Sequence, residues 1–325
     1  MNTMIRLLLF AFTLCLCGCP MGTPLDHYRP YGHQDTTISI SPTNEAILFN
    51  AKGRGGRDLF LLNLDNLSVV RIPDSPNYEV APSFSTDGTM IVYAAGVPGD
   101  RADHIFTISR KGESPKQLTN IDANDTSPRF SPDGSMIVFA RDKTYIWGGL
   151  AANWENGGVI CVVASDGTGE RELSPDDEFA FSPFFTPDGQ SVIYFTKKGC
   201  FSIPIDGSGN PTKLGPTAYL PHLSTDGTQI VFADGKYSPD QELFIANLDG
   251  KDRSQITTSK NGCIHGILNH DATRAYFLME ECPEGPSGHP KTSIWTVKTD
   301  GTGQEQLSDL SLFDDPMNWK PEKSP

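Results

Sequence analysis

Short apolar segments recur along the chain, and each one follows a turn that contains Asp-Gly. The clear copies are "STDGTMIVYA" at 85–94, "SPDGSMIVFA" at 131–140, "TPDGQSVIYF" at 186–195 and "STDGTQIVFA" at 224–233. Glycine accepts a positive φ without steric cost and aspartate bonds its own backbone, so the pair reverses the chain tightly. Because the apolar runs are rich in β-branched and aromatic residues, each copy predicts a β-hairpin.

The hairpins belong to a longer repeat. Their turn aspartates recur at intervals of 38 to 55 residues, and a weaker copy, "SPTNEAILF" at 41–49, precedes them. Each unit continues with a third strand such as "VICVVA" at 159–164, a second Gly turn and a short outer strand. Strong helical periodicity is absent. Four strands in a repeat of this length are typical of a propeller blade. The turn aspartates are Asp87, Asp133, Asp188, Asp226 and Asp271.

A single four-stranded sheet cannot bury both of its faces, whereas radial stacking covers the faces and leaves only short edges. The sequence therefore predicts an all-β chain, a six-bladed β-propeller of four-stranded antiparallel blades. A seven-bladed ring and a two-sheet sandwich are the alternatives, and the sandwich does not require the repeat. The blades are expected at about 36–76, 77–121, 122–174, 175–215, 216–258 and 259–308.

The N-terminus carries the pattern of an export signal. Arg6 precedes an apolar run, 7–16, that is too short to span a bilayer as a mature helix. Leu-Cys-Gly-Cys at 16–19 resembles a bacterial lipobox, which implies cleavage before Cys19 and a lipid on its thiol. A plain secretory signal is the alternative. The expected organisation is a signal peptide at 1–18, a lipidated tether at 19–35, the propeller at 36–321 and a tail at 322–325.

The lipobox resemblance also implies a location. We expect a lipid-anchored protein of the bacterial cell envelope that faces the periplasm or the cell surface. Pro20 follows the cysteine, not the aspartate that often retains such proteins at the inner membrane, which favours the outer membrane.

The charge balance is acidic. Net charge is −14, with 40 acidic and 26 basic residues, which argues against a nucleic-acid partner and favours cations or basic surfaces. Several acidic residues precede the inner strands, so a ring of them would attract a cationic partner or Ca²⁺, the one cofactor considered. Ordinary solvated surface charge is the alternative. The candidate rim residues are Glu79, Asp125, Glu178, Asp314 and Asp315, with His265 nearby.

The repeat "P-x-F-S-P-D-G-x-x-I-x-F … D-G-x-x-x-x-L-T" resembles the propeller repeats of the TolB family, which are WD-like and also occur in bacterial lipoproteins. The resemblance covers about 36–321 and implies a propeller fold in the envelope. "DDPMNWKP" at 314–321 resembles the strand that closes the TolB ring, and "TISISP" at 37–42 competes for that position. TolB carries an α/β domain before its propeller, for which 20–35 leave no room, so we expect functions of that domain to be missing.

The longest variable segment is "RDKTYIWGGLAANWENGG" at 141–158, which contains Tyr145, Trp147 and Trp154. Variable loops on a rigid scaffold commonly bind partners, and exposed aromatic side chains suit a protein or carbohydrate contact. The alternative is that the tryptophans only fasten the loop to its own blade.

Cysteines are few, and no zinc-site spacing is present. Cys263 and Cys282 flank the first hairpin of the sixth unit, where a cross-strand disulfide is the hypothesis. Cys161 and Cys200 lie on third strands and are expected to be buried thiols.

The function predicted is that of a non-enzymatic envelope lipoprotein that binds a protein or glycan partner through its loops. The rivals are a propeller enzyme, such as a polysaccharide lyase of the oligogalacturonate type, and a scaffold without a ligand. No G-x-S-x-G or H-E-x-x-H motif occurs, and the turn aspartates are assigned to turn chemistry, so no catalytic residue and no metal ligand is named. His222 and His265 could both approach the axis, which keeps the lyase open.

Overall fold

The computed structural model describes residues 37–52, 56–72, 78–97, 102–143, 158–176, 179–235, 240–259, 261–281, 291–309 and 311–320. These residues form six four-stranded antiparallel sheets, the blades of a six-bladed β-propeller, which confirms the predicted fold class. In the described ranges no helix has the length and hydropathy needed to cross a bilayer.

In every blade the strands follow chain order from the axis outward. Blade 1 contains β1 (Ile38–Ile40), β2 (Ala46–Lys52), β3 (Arg57–Asn63) and β4 (Val69–Arg71). Blade 2 contains β5 (Glu79–Phe84), β6 (Met90–Gly96), β7 (Asp103–Ser109) and β8 (Lys116–Gln117). Blade 3 contains β9 (Asn124–Phe130), β10 (Met136–Asp142), β11 (Gly158–Ala164) and β12 (Arg171–Glu172).

The second half of the ring repeats this arrangement. Blade 4 contains β13 (Phe181–Phe185), β14 (Ser191–Thr196), β15 (Gly199–Pro204) and β16 (Thr212–Gly215). Blade 5 contains β17 (Tyr219–Leu223), β18 (Gln229–Asp234), β19 (Glu242–Asn247) and β20 (Ser254–Gln255). Blade 6 contains β21 (Gly262–Leu268), β22 (Arg274–Glu281), β23 (Lys291–Lys298) and β24 (Glu305–Gln306).

The Asp-Gly turns owe their shape to local hydrogen bonds. In blade 3, Asp133 Oδ1 accepts from Ser131 Oγ at 2.6 Å and from the Ser135 N–H at 3.0 Å, while Ser131 Oγ accepts from the Met136 N–H at 2.9 Å. These bonds, first that from Ser131, lower the pKa of Asp133 to about 2. Gly134 takes the left-handed conformation at φ +73°. The side chain of the aspartate is therefore occupied in building the turn, as the sequence analysis assigned it.

Apolar residues fill the spaces between blades. Six clusters of buried side chains lie one in each interface between neighbouring blades, including the interface of blade 6 with blade 1. The interior is thus a ring of sheet-on-sheet contacts, in which each blade depends on both neighbours to cover its faces.

Within the part of the chain that the structure describes, the ring closes without exchange of a strand. β1 occupies the inner position of blade 1, and 311–320 forms turns. This C-terminal segment packs Leu312 and Phe313 into the cluster shared by blades 1 and 6, and Phe313 O accepts from the Lys52 N–H at 3.1 Å. Of the two competing segments, "TISISP" therefore supplies the inner strand and "DDPMNWKP" does not.

Candidate functional site

Exposed apolar side chains concentrate on one face of the ring. We call it the loop face: it carries the connections that enter the inner strands and those that join second to third strands, and the Asp-Gly turns lie on the opposite face. Among the described residues, four of the five exposed large apolar side chains lie there, and the fifth, Val70, lies on the outer strand β4. The four are Tyr78 (40% exposed), Ile121 (40%), Tyr219 (45%) and Met317 (60%).

Tyr78 is held in place on this face. Arg57 donates through Nε to the Tyr78 hydroxyl at 3.0 Å, and its guanidinium carbon lies 6.0 Å from the centre of the tyrosine ring. Arg57 begins β3 of blade 1, whereas Tyr78 directly precedes β5 of blade 2. The contact therefore fixes an exposed aromatic ring at a junction between blades.

The carboxylate of Glu79 has a structural position. In four blades a side-chain hydroxyl just after the outer strand accepts a hydrogen bond from a backbone N–H of the third strand. In blade 2, for example, Thr119 accepts from the Ile105 N–H at 2.9 Å. Blade 1 has Pro73 at the corresponding sequence position, and Glu79 Oε2 accepts from the Leu59 N–H at 3.0 Å instead. Glu79 is 5% exposed, so it joins blade 2 to blade 1 and is not a solvent-facing rim charge.

Asp125 is buried in an ion pair. Arg141 donates to both of its carboxylate oxygens, from Nε at 2.7 Å and from Nη2 at 2.9 Å, and to Glu170 from Nη1 at 2.6 Å. Burial raises the pKa of Asp125, and the Arg141 guanidinium opposes that shift. Asp125 has no exposed surface, so the structure separates it from the acidic rim to which the sequence analysis assigned it.

Asp314 and Asp315 are exposed on the C-terminal segment. Asp315 accepts from Asn318 Nδ2 at 3.0 Å. In the described part of the chain, no three His, Cys, Asp or Glu side chains are grouped so that they could hold a metal ion. Binding of Ca²⁺ at the rim stays a prediction.

The remaining predicted sites divide between described and undescribed residues. Six of them lie outside the described ranges: Cys19, Tyr145, Trp147, Trp154, Glu178 and Cys282. The roles predicted for the first five stay predictions.

The disulfide hypothesis needs correction at Cys263. Its thiol is free and buried, and burial raises its pKa to about 12. The register of β21 with β22 places Met279 opposite Cys263, so Cys282 is three residues beyond the cross-strand position. Cys161 and Cys200 are free buried thiols, as predicted.

A second group of polar side chains meets at the axis. Arg129, Phe184 and His222 occupy the same position, four residues before the turn aspartate, on the inner strands of blades 3, 4 and 5. The Arg129 guanidinium carbon lies 5.2 Å from the Phe184 ring centre, and the Phe184 ring meets the His222 ring edge-on at 5.7 Å. We call Arg129, His222 and His265, on β21, the axial cluster.

The two histidines of the axial cluster contact the next blade in the same way. His222 Nδ1 accepts from the Leu268 N–H, and His265 Nδ1 accepts from the Ile38 N–H, both at 3.4 Å. Burial, and then the charge of Arg129, lower the pKa of His265 to about 3 and hold that of His222 well below its usual value. Both rings are therefore neutral at physiological pH, with the proton on Nε2.

His222 and His265 are the residues predicted from the sequence to approach the axis, whereas Arg129 is not among the predicted site residues. A signal for Arg129 exists in the repeat. Each of the inner strands β5, β9, β13 and β17 has a proline followed by one variable residue, and an apolar residue follows that. The variable position reads Ser83, Arg129, Phe184 and His222, and it is the position that meets at the axis.

Comparison with known proteins gives structural neighbours only. No family model matches the chain, and no curated protein matches its sequence. TolB from Acinetobacter baumannii is 15% identical with a TM-score of 0.60, and the match covers 83% of this chain and 62% of that protein. A putative TolB from Agrobacterium tumefaciens is 17% identical with a TM-score of 0.56, and the match covers 81% and 89%.

Enzymes share the same fold. The oligogalacturonate lyase of Vibrio parahaemolyticus is 13% identical with a TM-score of 0.57, and the match covers 83% of this chain and 76% of that protein. At such low identity the likeness establishes the architecture and leaves the activity open. The chain is similar in fold to TolB and to other propellers, and it is a six-bladed β-propeller.

Proposed function

We propose that this protein is a non-enzymatic binding propeller of the bacterial cell envelope, which holds a protein partner on its loop face. The observation that carries the proposal is the location of Tyr78, Ile121, Tyr219 and Met317, which expose apolar surface on that face. Exposed apolar side chains that share a face are typical of interaction surfaces.

The chemistry of these side chains favours protein over glycan. Sugars stack on aromatic rings, and Tyr78 and Tyr219 offer those, but Ile121 and Met317 are aliphatic and suit the apolar side chains of a protein. The anchoring of Tyr78 by Arg57 supports a surface that is arranged before the partner arrives.

The location is part of the proposal. The lipobox-like segment before Cys19 supports a lipid anchor, which would hold the propeller close to a membrane. A tethered propeller with an apolar face would then recruit another envelope protein to that membrane.

Recovery of partners from envelope extract tests the loop face. The variant Tyr78→Ser/Ile121→Ser/Tyr219→Ser removes apolar surface there, and we expect at least one partner of the wild-type protein to be recovered about tenfold less. The matched control is Val70→Ser, because Val70 is 58% exposed but lies on the outer strand β4, away from the loop face.

Circular dichroism and the thermal midpoint show whether the triple variant is folded before its partners are compared. Equal recovery of every protein by the triple variant and by the Val70 control would refute the loop-face proposal. If the wild-type propeller bound cell-wall glycan and no protein, and only the triple variant lost that binding, the partner would be a glycan.

A further inference from the structure

The axial cluster offers hydrogen-bond donors without acceptors. His222 and His265 use Nδ1 to accept backbone N–H groups, so each presents an Nε2–H donor. Arg129 adds the five N–H donors of its guanidinium. Within the described ranges, neither the Arg129 guanidinium nor either Nε2–H donates a hydrogen bond to the protein. Three donor side chains from blades 3, 5 and 6 thus share a half-buried site.

The site also carries one positive charge without a counter-ion. No carboxylate in the described part of the chain forms an ion pair with Arg129, although the protein has 40 acidic residues. The buried carboxylates on the described inner strands have other partners. Glu79 accepts a hydrogen bond from the Leu59 N–H, and Asp125 forms an ion pair with Arg141. Burial lowers the pKa of Arg129 to about 10, which leaves it charged at neutral pH.

The contact between Arg129 and Phe184 does not satisfy these donors. A guanidinium that lies over an aromatic ring is attracted to it electrostatically, but the ring supplies no lone pair to accept hydrogen bonds from the five N–H groups. Partial withdrawal of a charge from water without a partner is costly, so an anion that entered the site would recover part of that cost.

We propose that the axial cluster is a binding site for a small monoanion of the carboxylate class, held between Arg129, His222 and His265. The planar guanidinium matches the two oxygens of a carboxylate, and two neutral imidazoles can donate to the remaining lone pairs. One net positive charge suits a monoanion better than a dianion. The site lies at the axis and is independent of the loop-face surface, so either proposal can fail alone.

Titration with sodium acetate, followed through the imidazole ¹⁵N signals of His222 and His265, tests the site directly. At constant ionic strength we expect both Nε2 signals to move and to saturate together. Acetamide has the same shape without the charge and should leave the signals in place. Inorganic phosphate should bind more weakly than acetate, and equal or tighter binding would overturn the carboxylate class.

One variant and a matched control assign the binding to the cluster. We expect Arg129→Gln to weaken acetate binding about tenfold or more, since it removes the charge-assisted hydrogen bonds. Arg171→Gln removes the same charge from the outer strand β12 of the same blade and should bind acetate like the wild type. Equal affinity in Arg129→Gln and Arg171→Gln, or no saturation in the wild type, would overturn the proposal.

A further variant keeps the test valid if Arg129→Gln is unstable. His265 has φ +47°, a left-handed conformation that asparagine tolerates, so His265→Asn removes the imidazole and preserves the backbone. Its thermal midpoint should stay near that of the wild type while acetate binding weakens. Unchanged acetate binding in His265→Asn would count against the site as described.

Discussion

At the scale of single residues, the turn between the first and second strands of every blade contains a residue with positive φ, but the residue type differs between blades. The residue after the turn aspartate is left-handed, and in blades 2 to 5 it is glycine, as at Gly134 with φ +73°. Blade 6 uses Ala272 at φ +53° in the equivalent place. Blade 1 has Asn44 there at φ +59°, a residue type that tolerates this conformation. A Cβ costs energy in the left-handed region, so the Ala272 turn of blade 6 stores strain that the glycine turns of blades 2 to 5 avoid.

Exchanging these residues should change stability in opposite directions. A Cβ added to Gly134 would meet nothing within 4 Å, so Gly134→Ala tests backbone strain alone, and we expect a loss of about 1 kcal/mol in the free energy of unfolding. Ala272→Gly should increase that free energy by a similar amount or somewhat less, because glycine also adds entropy to the unfolded chain. Urea unfolding measures both, and changes of the same sign would contradict the strain explanation.

At the scale of the element, the inner strand of blade 3 is joined to its neighbour by a buried charge pair. Arg141 on β10 is 3% exposed, and both of its N–H faces are occupied, by Asp125 on β9 and by Glu170. Its guanidinium also lies 5.1 Å from the Phe139 ring. Because Asp125 is fully buried, removal of the arginine would leave a carboxylate without a counter-charge.

We therefore expect Arg141→Met to lower the free energy of unfolding by about 3 to 5 kcal/mol, as for other buried pairs that lose one partner. The double variant Asp125→Leu/Arg141→Met removes both charges and should recover most of that loss. Lys251→Met serves as the control, since Lys251 pairs with Asp249 at 2.6 Å on the exposed surface and its loss should leave the unfolding midpoint unchanged. A double variant as unstable as the single one would contradict this account.

The sequence predicts the elements better than the environment of individual side chains. The Asp-Gly turns and apolar strands repeat with the period of a blade, so the fold class follows from local patterns. Whether a carboxylate faces water depends on its neighbours across blades, as Glu79 and Asp125 show. The repeat shows that blade 1 has Pro73 where other blades have a hydroxyl, but it does not show that Glu79 takes over the hydrogen bond. The proximity of Arg141 to Asp125 has no periodic signature.

The axial cluster was hidden for a related reason. Its members are separated by 43 to 136 positions in the chain, and only the circular order of the blades brings them together. Alignment of the repeats on the turn aspartate places Arg129 and His222 at one position, but His265 lies two residues earlier in its own unit. Cys263 illustrates a complementary error. The hairpin turn lies closer to Asp271 than simple counting assumes, and the bulge between Ile264 and Ile267 shifts the register by one further residue.

At the scale of the whole molecule, the contact between the first and last blades decides whether the ring is closed. No strand among the described residues crosses it, so closure there depends on side-chain packing, on the contact of β1 with β21 and on hydrogen bonds such as that from the Lys52 N–H to Phe313 O. Phe313 contributes an edge-on contact with Phe49 at 5.4 Å between ring centres and is 9% exposed. The C-terminal segment therefore stabilises the contact between blades 1 and 6 through apolar packing.

Phe313→Ala should weaken the contact between blades 1 and 6. We expect a loss of about 3 kcal/mol in the free energy of unfolding, from the lost burial and the cavity left between blades 1 and 6. Met317→Ala alters the same segment at a 60% exposed side chain and should leave stability unchanged. Amide exchange in β1 and β21 should accelerate in Phe313→Ala before it does in β9 and β13, since opening begins at the weakened interface. Equal acceleration in all blades would mean that the ring unfolds as one unit and that 311–320 has no special part in closing it.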